Sequence, residues 1–463
     1  MSGRDGVNSK TPTRELIEFL HALSFERLPH GVVPAAKRAL LDTLGCALFG
    51  VPEPWSQIMT AEAIAEASKG RSTLIGRNDV LAAPAAALCN GTAAHGFELD
   101  DHLDEAIVHP GAIVVSAALA AAEAVGTSGE RLLLALIAGY EMLNRLGLAM
   151  GAKPSQLGWH KTAVAGPVGA AVAASIAMRL DAEQMMNAVG LACATASGTK
   201  AFAAGEGGGM EKRMQAGHAA YSGVRAAQLA ARGFTAPPRA VDGHFGLLEV
   251  MSGASSQPQL LSSELGKSWA IEHVYVKLYP CCAWIQAAAQ QLVTLRGPEP
   301  LKPAQIRAVR IGVSAYAAAQ NANPLPRDTM GAQFSIPYCV AFALTGDPAD
   351  PAMYAPEAIE DPPRRELAQR VEIMVDPEME SAYPKHYGAR VHLELASGVA
   401  RTSSKLDPHG MPADPCSDAE VLDKFLRLAT RVKSSDTAQA IVDAVERAER
   451  LETITELTQL LKA

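Results

Sequence analysis

Residues 162–178 read TAVAGPVGAAVAASIAM, 17 positions without a charge and broken only by Gly166-Pro167. A membrane-spanning helix needs about 20 apolar residues, so the run is short for a span and reads as a buried core helix. Its alanine-rich texture recurs. Thr11-Pro12 opens a helix with Leu16, Phe19, Leu20 and Leu23 on one face, and Pro34 opens another with Ala36, Leu40, Leu44 and Ala47 at helical spacing. Further apolar-periodic stretches follow at about 56–68, 111–125, 130–150, 182–196 and 216–232, with glycines such as Gly126, Gly129, Gly158 and Gly233 at the joins. Across all 463 residues the hydrophobic share is 48% but the aromatic share only 5%, which favours close-packed helices over a β-sandwich.

The texture changes near 272. Ile306–Val313 and Val371–Val375 read as strands, and Arg390–Ala396 sets Val391, Leu393 and Leu395 against polar neighbours with the period of a half-buried strand. Residues 406–417 are crowded with Pro, Gly and Asp and read as a linker, after which Asp418–Ala429 and Thr437–Leu461 read as helices. The expected fold is mainly α. A large all-helical domain covers 1–272 and is completed by the C-terminal helices of 417–463. A smaller α/β lid covers 273–416.

Forty-one basic against 49 acidic residues give a net charge of −8, which excludes a global basic field for nucleic acid but not a local basic pocket for a small acidic ligand. The first 15 residues lack an apolar stretch of the secretory kind, and the seven scattered cysteines form no CxxC pair. A cytoplasmic protein with no disulfide framework, metal site or membrane partner is the expectation.

Four segments could carry chemistry. His95-Gly-Phe-Glu98-Leu-Asp100-Asp101-His102, with His109-Pro110 beyond, packs carboxylates and imidazoles just before an apolar helix. That suits acid–base work, though capping of the helix by acidic residues would use the same residue types. Gly158-Trp-His160-Lys-Thr places a histidine at a helix start, where the dipole disfavours its charged form. A glycine run at 205–209 leads to Glu211-Lys212-Arg213-Met-Gln215, a cradle for a carboxylate or phosphate that lacks P-loop spacing. Lys277-Leu-Tyr279-Pro-Cys281-Cys282 lies at the body–lid junction, where clefts form. Adjacent cysteines do not readily join each other, and the other five show no cluster spacing. The glycine run and the junction together predict a mobile loop and an open cleft. Lys212 and Lys277 would face each other across it until a polycarboxylate bridges body and lid.

Taken in order, these segments resemble the MmgE/PrpD family, which includes 2-methylcitrate dehydratase, cis-aconitate decarboxylase and iminodisuccinate epimerase. The resemblance also rests on LDTLGCALFG at 41–50, Gly233-Phe-Thr235, Gln333-Phe-Ser-Ile-Pro-Tyr-Cys339, His386-Tyr-Gly-Ala-Arg390 and Pro415–Lys424. It implies a helical domain with an α/β lid, a homodimer, no cofactor and a small polycarboxylate substrate. By that resemblance Glu98, Asp101, His109, His160, Lys212 and Lys277 are the catalytic candidates. Arg213, His102, Tyr279, Tyr316 and Gln215 are the substrate-binding candidates. One of His109 and His160 would be the base and the other the acid, with Glu98 or Asp101 orienting an imidazole. Two positions depart from the family pattern: Gln215 and Gln286 stand where it has histidines. The expected activity is a cofactor-independent lyase or isomerase that moves a proton α to a carboxylate, of dehydratase or decarboxylase type. An epimerase of a substituted succinate such as iminodisuccinate, and a non-catalytic carboxylate-binding relative, are the alternatives.

Overall fold

The computed structural model describes residues 11–66, 69–203 and 209–463. Six helices build most of the body: α1 (Val32–Gly50), α2 (Ala83–Ala94), α3 (Gly111–Val125), α4 (Gly129–Met150), α5 (Lys161–Ala177) and α6 (Glu211–Ala231). The quoted run forms α5, which continues through Pro167 and is buried along its whole length. Small residues set how closely these helices approach. A Cβ on Gly217 of α6 would stand 2.3 Å from the Leu88 carbonyl of α2, and one on Gly223 would stand 2.3 Å from Ala170 of α5. Replacing either glycine would push two backbones apart in a densely packed interior.

The lid contributes α7 (Ala283–Arg296), β1 (Ile306–Val313), α8 (Ile336–Thr345), β2 (Val371–Val375), β3 (Ala389–Leu395) and β4 (Ala400–Lys405). Its sheet runs β2-β1-β3-β4, with β1 parallel to β2 and antiparallel to β3. Val309, Ile311, Val391 and Leu393 turn inward to share a core with Ile285, Leu292 and Val340 of the two lid helices. The fold is therefore mainly α, with a smaller α/β unit. Finally α9 (Asp418–Ala429) packs on α1, and its buried Lys424 reaches Asp42 at 2.7 Å and the Leu99 carbonyl at 2.7 Å.

Several expectations shift. The helix expected from Pro34 begins at Val32, and that expected over 216–232 begins at Glu211, so Lys212 and Arg213 sit in its first turn. The stretch 437–461 is not one helix but Ser435–Glu446 and Thr455–Leu461, joined through a 3-10 turn. Helix α2 has no polar face to give it a period, and β4 is an exposed polar edge strand without alternation. Residues 205–208 of the glycine run lie outside the described residues.

Candidate active site

The segment 95–110 leaves α2 and enters α3, and both parts of the molecule hold it. His102 pairs its backbone with Tyr275 in both directions, at 3.0 and 2.8 Å. Gln333 of the lid donates to the Phe97 carbonyl at 2.9 Å, and the Tyr387 hydroxyl donates to the Asp104 carbonyl at 2.9 Å. So anchored, the chain takes a left-handed conformation at two non-glycine residues, Glu98 (φ 57°) and Ile107 (φ 56°). Both line the cavity described below. Such strain persists only where surrounding contacts over-determine the backbone.

Glu98 is the centre of a buried charge cluster. Lys212 donates to its Oε1, Arg213 lies 3.3 Å from the same oxygen, and Lys277 lies 3.6 Å from Oε2. Burial, with Lys277 and Arg213 nearby, drives the Lys212 ammonium well below its usual range, and Glu98 supplies the compensating charge. Arg213 also donates to Gln333 at 2.6 Å and lies over Trp55. Asp100 takes a second set of partners: His95 Nδ1 at 2.6 Å, His109 Nδ1 at 3.3 Å and Lys277 at 3.7 Å. Burial opposes its charge, but His95, His109 and Lys277 outweigh it and hold the carboxylate well below its usual range.

Four imidazoles meet here. His95 stacks on His160 at 5.9 Å and lies edge-on to His109 at 5.0 Å, while His102 meets His109 at 4.7 Å. His109 donates from Nδ1 to the Asp101 carbonyl at 2.9 Å, an acceptor that admits only a protonated Nδ1. His102 shares 2.7 Å with Asp104, and burial, His109 and Lys277 hold its imidazole well below the usual range. His160 caps α5, and burial, with His109 nearby, pushes its imidazole down to about 3.

A cavity of about 60 Å³ opens between body and lid. From the body come Glu98, His102, His109, His160, Lys161, Lys200 and Lys212; from the lid come Cys282, Trp284, Tyr316, Gln320 and Phe334. Lys161 donates to the Gly147 and Gly151 carbonyls at 2.8 Å each, where α4 ends, and burial pushes its ammonium down to about 7. Lys200 donates to the Tyr316 hydroxyl at 2.5 Å, joining body to lid. Lys161, Lys200 and Lys212 bring three nitrogen donors to the wall against one carboxylate, Glu98, which Lys212 already meets.

A metal would find three ligand atoms of His95, Asp100 and His109 within 4.8 Å of one another. Asp100 Oδ2 meets His95 Nδ1 at 2.6 Å and His109 Nδ1 at 3.3 Å, contacts that suit an acid–base relay.

The MmgE/PrpD N-terminal domain model matches residues 14–259, and the MmgE/PrpD C-terminal domain model matches 279–450. The chain belongs to the MmgE/PrpD family. Among similar MmgE/PrpD-type proteins, a cis-aconitate decarboxylase of Aspergillus terreus is 28% identical over 471 residues, covering 97% of this chain and 95% of its own. The cis-aconitate decarboxylase of Homo sapiens is 29% identical, with 98% and 95% covered. A cis-aconitate decarboxylase-like protein of Aspergillus oryzae is 29% identical, with 100% and 99% covered.

Against the MmgE/PrpD pattern, the expected residues fall into two groups. Glu98, His102, His109, His160, Lys212 and Tyr316 line the cavity. Asp101, Arg213, Gln215, Tyr279 and Lys277 stand behind it or away from it. Asp101 accepts from the Gly111 amide at 2.8 Å and the Tyr140 hydroxyl at 2.7 Å, tying α3 to α4. Tyr279 sits half-buried against the lid core. Gln286 is fully buried and holds the Tyr279 and Cys281 backbones, donating to them at 2.7 and 3.1 Å. Gln215 holds His160. The two lysines expected to face each other across a cleft instead converge on Glu98, with Lys277 fully buried behind the wall. Reading the sequence as a string missed Lys161, Lys200, Trp284 and the relay role of His95 and Asp100. Lys161 adjoins His160 in the quoted motif, whereas nothing around Lys200 marks it.

Proposed function

We propose that this MmgE/PrpD enzyme is a lyase of the decarboxylase or dehydratase type acting on a small di- or tricarboxylate, with cis-aconitate as the first substrate to test. The observation that carries the reading is the cavity wall itself: Lys161, Lys200 and Lys212 beside two ring edges, those of His109 and His160. The lysines bind substrate carboxylates by charge-assisted hydrogen bonds, which are strong where water is excluded. His109 is the acid. Its Nδ1 is held by the Asp101 carbonyl, and Asp100 supplies a counter-charge 3.3 Å away, which leaves Nε2 to deliver a proton. His160 is the neutral acceptor.

In decarboxylation of an unsaturated tricarboxylate, the bond to the departing carboxylate breaks. Its electron pair forms a new C=C bond, the old C=C bond collects a proton from His109, and CO2 leaves. In dehydration His160 would take the proton α to a carboxylate while His109 protonates the leaving hydroxyl. Decarboxylation uses the acid and the carboxylate-binding lysines, and dehydration uses the acceptor as well. The proposed assembly is a homodimer, which light scattering would read as twice the 48.5 kDa chain mass.

The test is to incubate the purified, chelator-treated protein in deuterated water with cis-aconitate, methylcitrate, citramalate and iminodisuccinate. CO2 release with one deuteron fixed in the product supports the decarboxylase form. A new C=C bond with loss of water supports the dehydratase form. No turnover and no exchange with any of the four overturns the proposal.

A further inference from the structure

The Gln215 side-chain amide is fully engaged. Nε2 donates to the Thr199 carbonyl at 3.0 Å and to the Glu211 carboxylate, while Oε1 lies 2.6 Å from His160 Nδ1. The partners decide which end of the amide is which. A flipped amide would set its oxygen against a carbonyl and a carboxylate, neither of which donates. The orientation is therefore fixed by Thr199 and Glu211. The oxygen offered to His160 accepts only, so His160 Nδ1 must carry the proton.

We infer that Gln215 is a positioning residue that locks His160 in the Nδ1–H tautomer and leaves its Nε2 lone pair for the reaction. This rests on the proposed reading for its chemical meaning, though not for its geometry. An amide orients the ring without lending it charge, unlike the Asp100 carboxylate beside His95 and His109. The ring is otherwise surrounded by His95 stacked on it, Phe202 edge-on at 5.2 Å, and the charged or titratable His109, Lys200 and Asp100. None of these accepts a proton from Nδ1. Gly198 makes room for the arrangement: its carbonyl receives the His160 backbone amide at 2.9 Å, and a Cβ there would stand 2.9 Å from Gln215 Oε1 and 2.4 Å from Ala163. The carboxylate that orients Gln215 sits one turn earlier on the same helix, at Glu211, so α6 supplies two members of the relay Glu211–Gln215–His160.

The experiment uses the full chain labelled with 15N-histidine, with the His160 resonances assigned by their loss in His160→Asn. Long-range 15N–1H correlation should show His160 protonated at Nδ1 and bare at Nε2 from pH 6 to 8. In Gln215→Met, which keeps the volume but offers no carbonyl, the proton should move to Nε2. The folded signature in circular dichroism should be retained. Where turnover is measurable, Gln215→Met should lower kcat at least tenfold and change KM less than threefold. Nε2–H in the unaltered protein, or a tautomer that Gln215→Met leaves unmoved, overturns the inference. The tautomer is read without substrate, so a failed substrate screen would sink the proposed function and leave this result standing.

Discussion

Glu98→Gln is the substitution whose cost the structure sets most directly. Glu98 and Lys212 are almost wholly buried, at 1% and 2% exposure, and Arg213 and Lys277 complete the ring of cations around the carboxylate. Once Glu98 is neutral, three buried cations are left facing Asp100, which already serves His95 and His109. Removing one partner of a buried ion pair costs about 3–5 kcal/mol, because the other charge stays in a medium that does not solvate it. The sign of the pH dependence follows. Lys212 already has its folded pKa held below the ordinary range, and loss of Glu98 drives it lower. The unfolded chain keeps that proton up to about pH 10.4, so it binds more protons than the fold across the window below. Stability of the variant should therefore rise with pH there. Urea unfolding at pH 7, 8.5 and 9.5 reads both effects. A deficit under about 1 kcal/mol at pH 7, or a variant whose stability does not rise with pH, would refute the view that Glu98 compensates this cluster.

The remaining expectations are more local. Asp101 has its carboxyl raised to about 7 by burial and by Asp42, so the fold favours its protonated form. Stability from this group is present below about pH 4 and lost as pH rises through 7, and Asp101→Asn should flatten that slope in a series of thermal melts. Lys161→Met should raise KM for the true carboxylate by roughly 10- to 100-fold, the effect of one charge-assisted contact of about 1.5–3 kcal/mol, while steady-state kinetics show kcat changing less. Gly198→Ala puts a Cβ at a φ of 136° against Ala163 and Gln215. It should lower both the melting temperature and kcat, and unchanged kcat would mean that the His160 geometry tolerates displacement.

How much of this was legible beforehand depends on the kind of signal. Alanine-rich periodic stretches announced α3, α4 and α5 because burial imposes a helical spacing on apolar residues. Alternation announced β3 for the same reason. Helix α2 is buried on nearly every side and β4 exposed on nearly every residue, so neither carries a period to read. The wall histidines and Lys212 were found because they lie in ordered motifs. Lys277 was found too, but its depth was not, since a lysine in a motif looks the same whether it touches substrate or braces a carboxylate. Lys200 comes to the cavity through its contact with Tyr316, 116 positions away, a relation that no local spacing encodes. Gln286 looked like a lost proton carrier and proved to be a clamp on its own loop.

The division of labour around the cavity has a practical side. Every ionised side chain on its wall belongs to the body, whereas Trp284, Tyr316, Gln320 and Phe334 arrive from the lid and give the space its outline. Under the proposed reading, the groups that handle protons and charge lie on one part of the polypeptide and those that shape the space on another. A library confined to those four lid positions would vary the shape of acid accepted and leave the proton-handling groups untouched. Recombining lids among relatives would be a way to move selectivity between enzymes as a unit. The body would remain a common engine beneath interchangeable moulds.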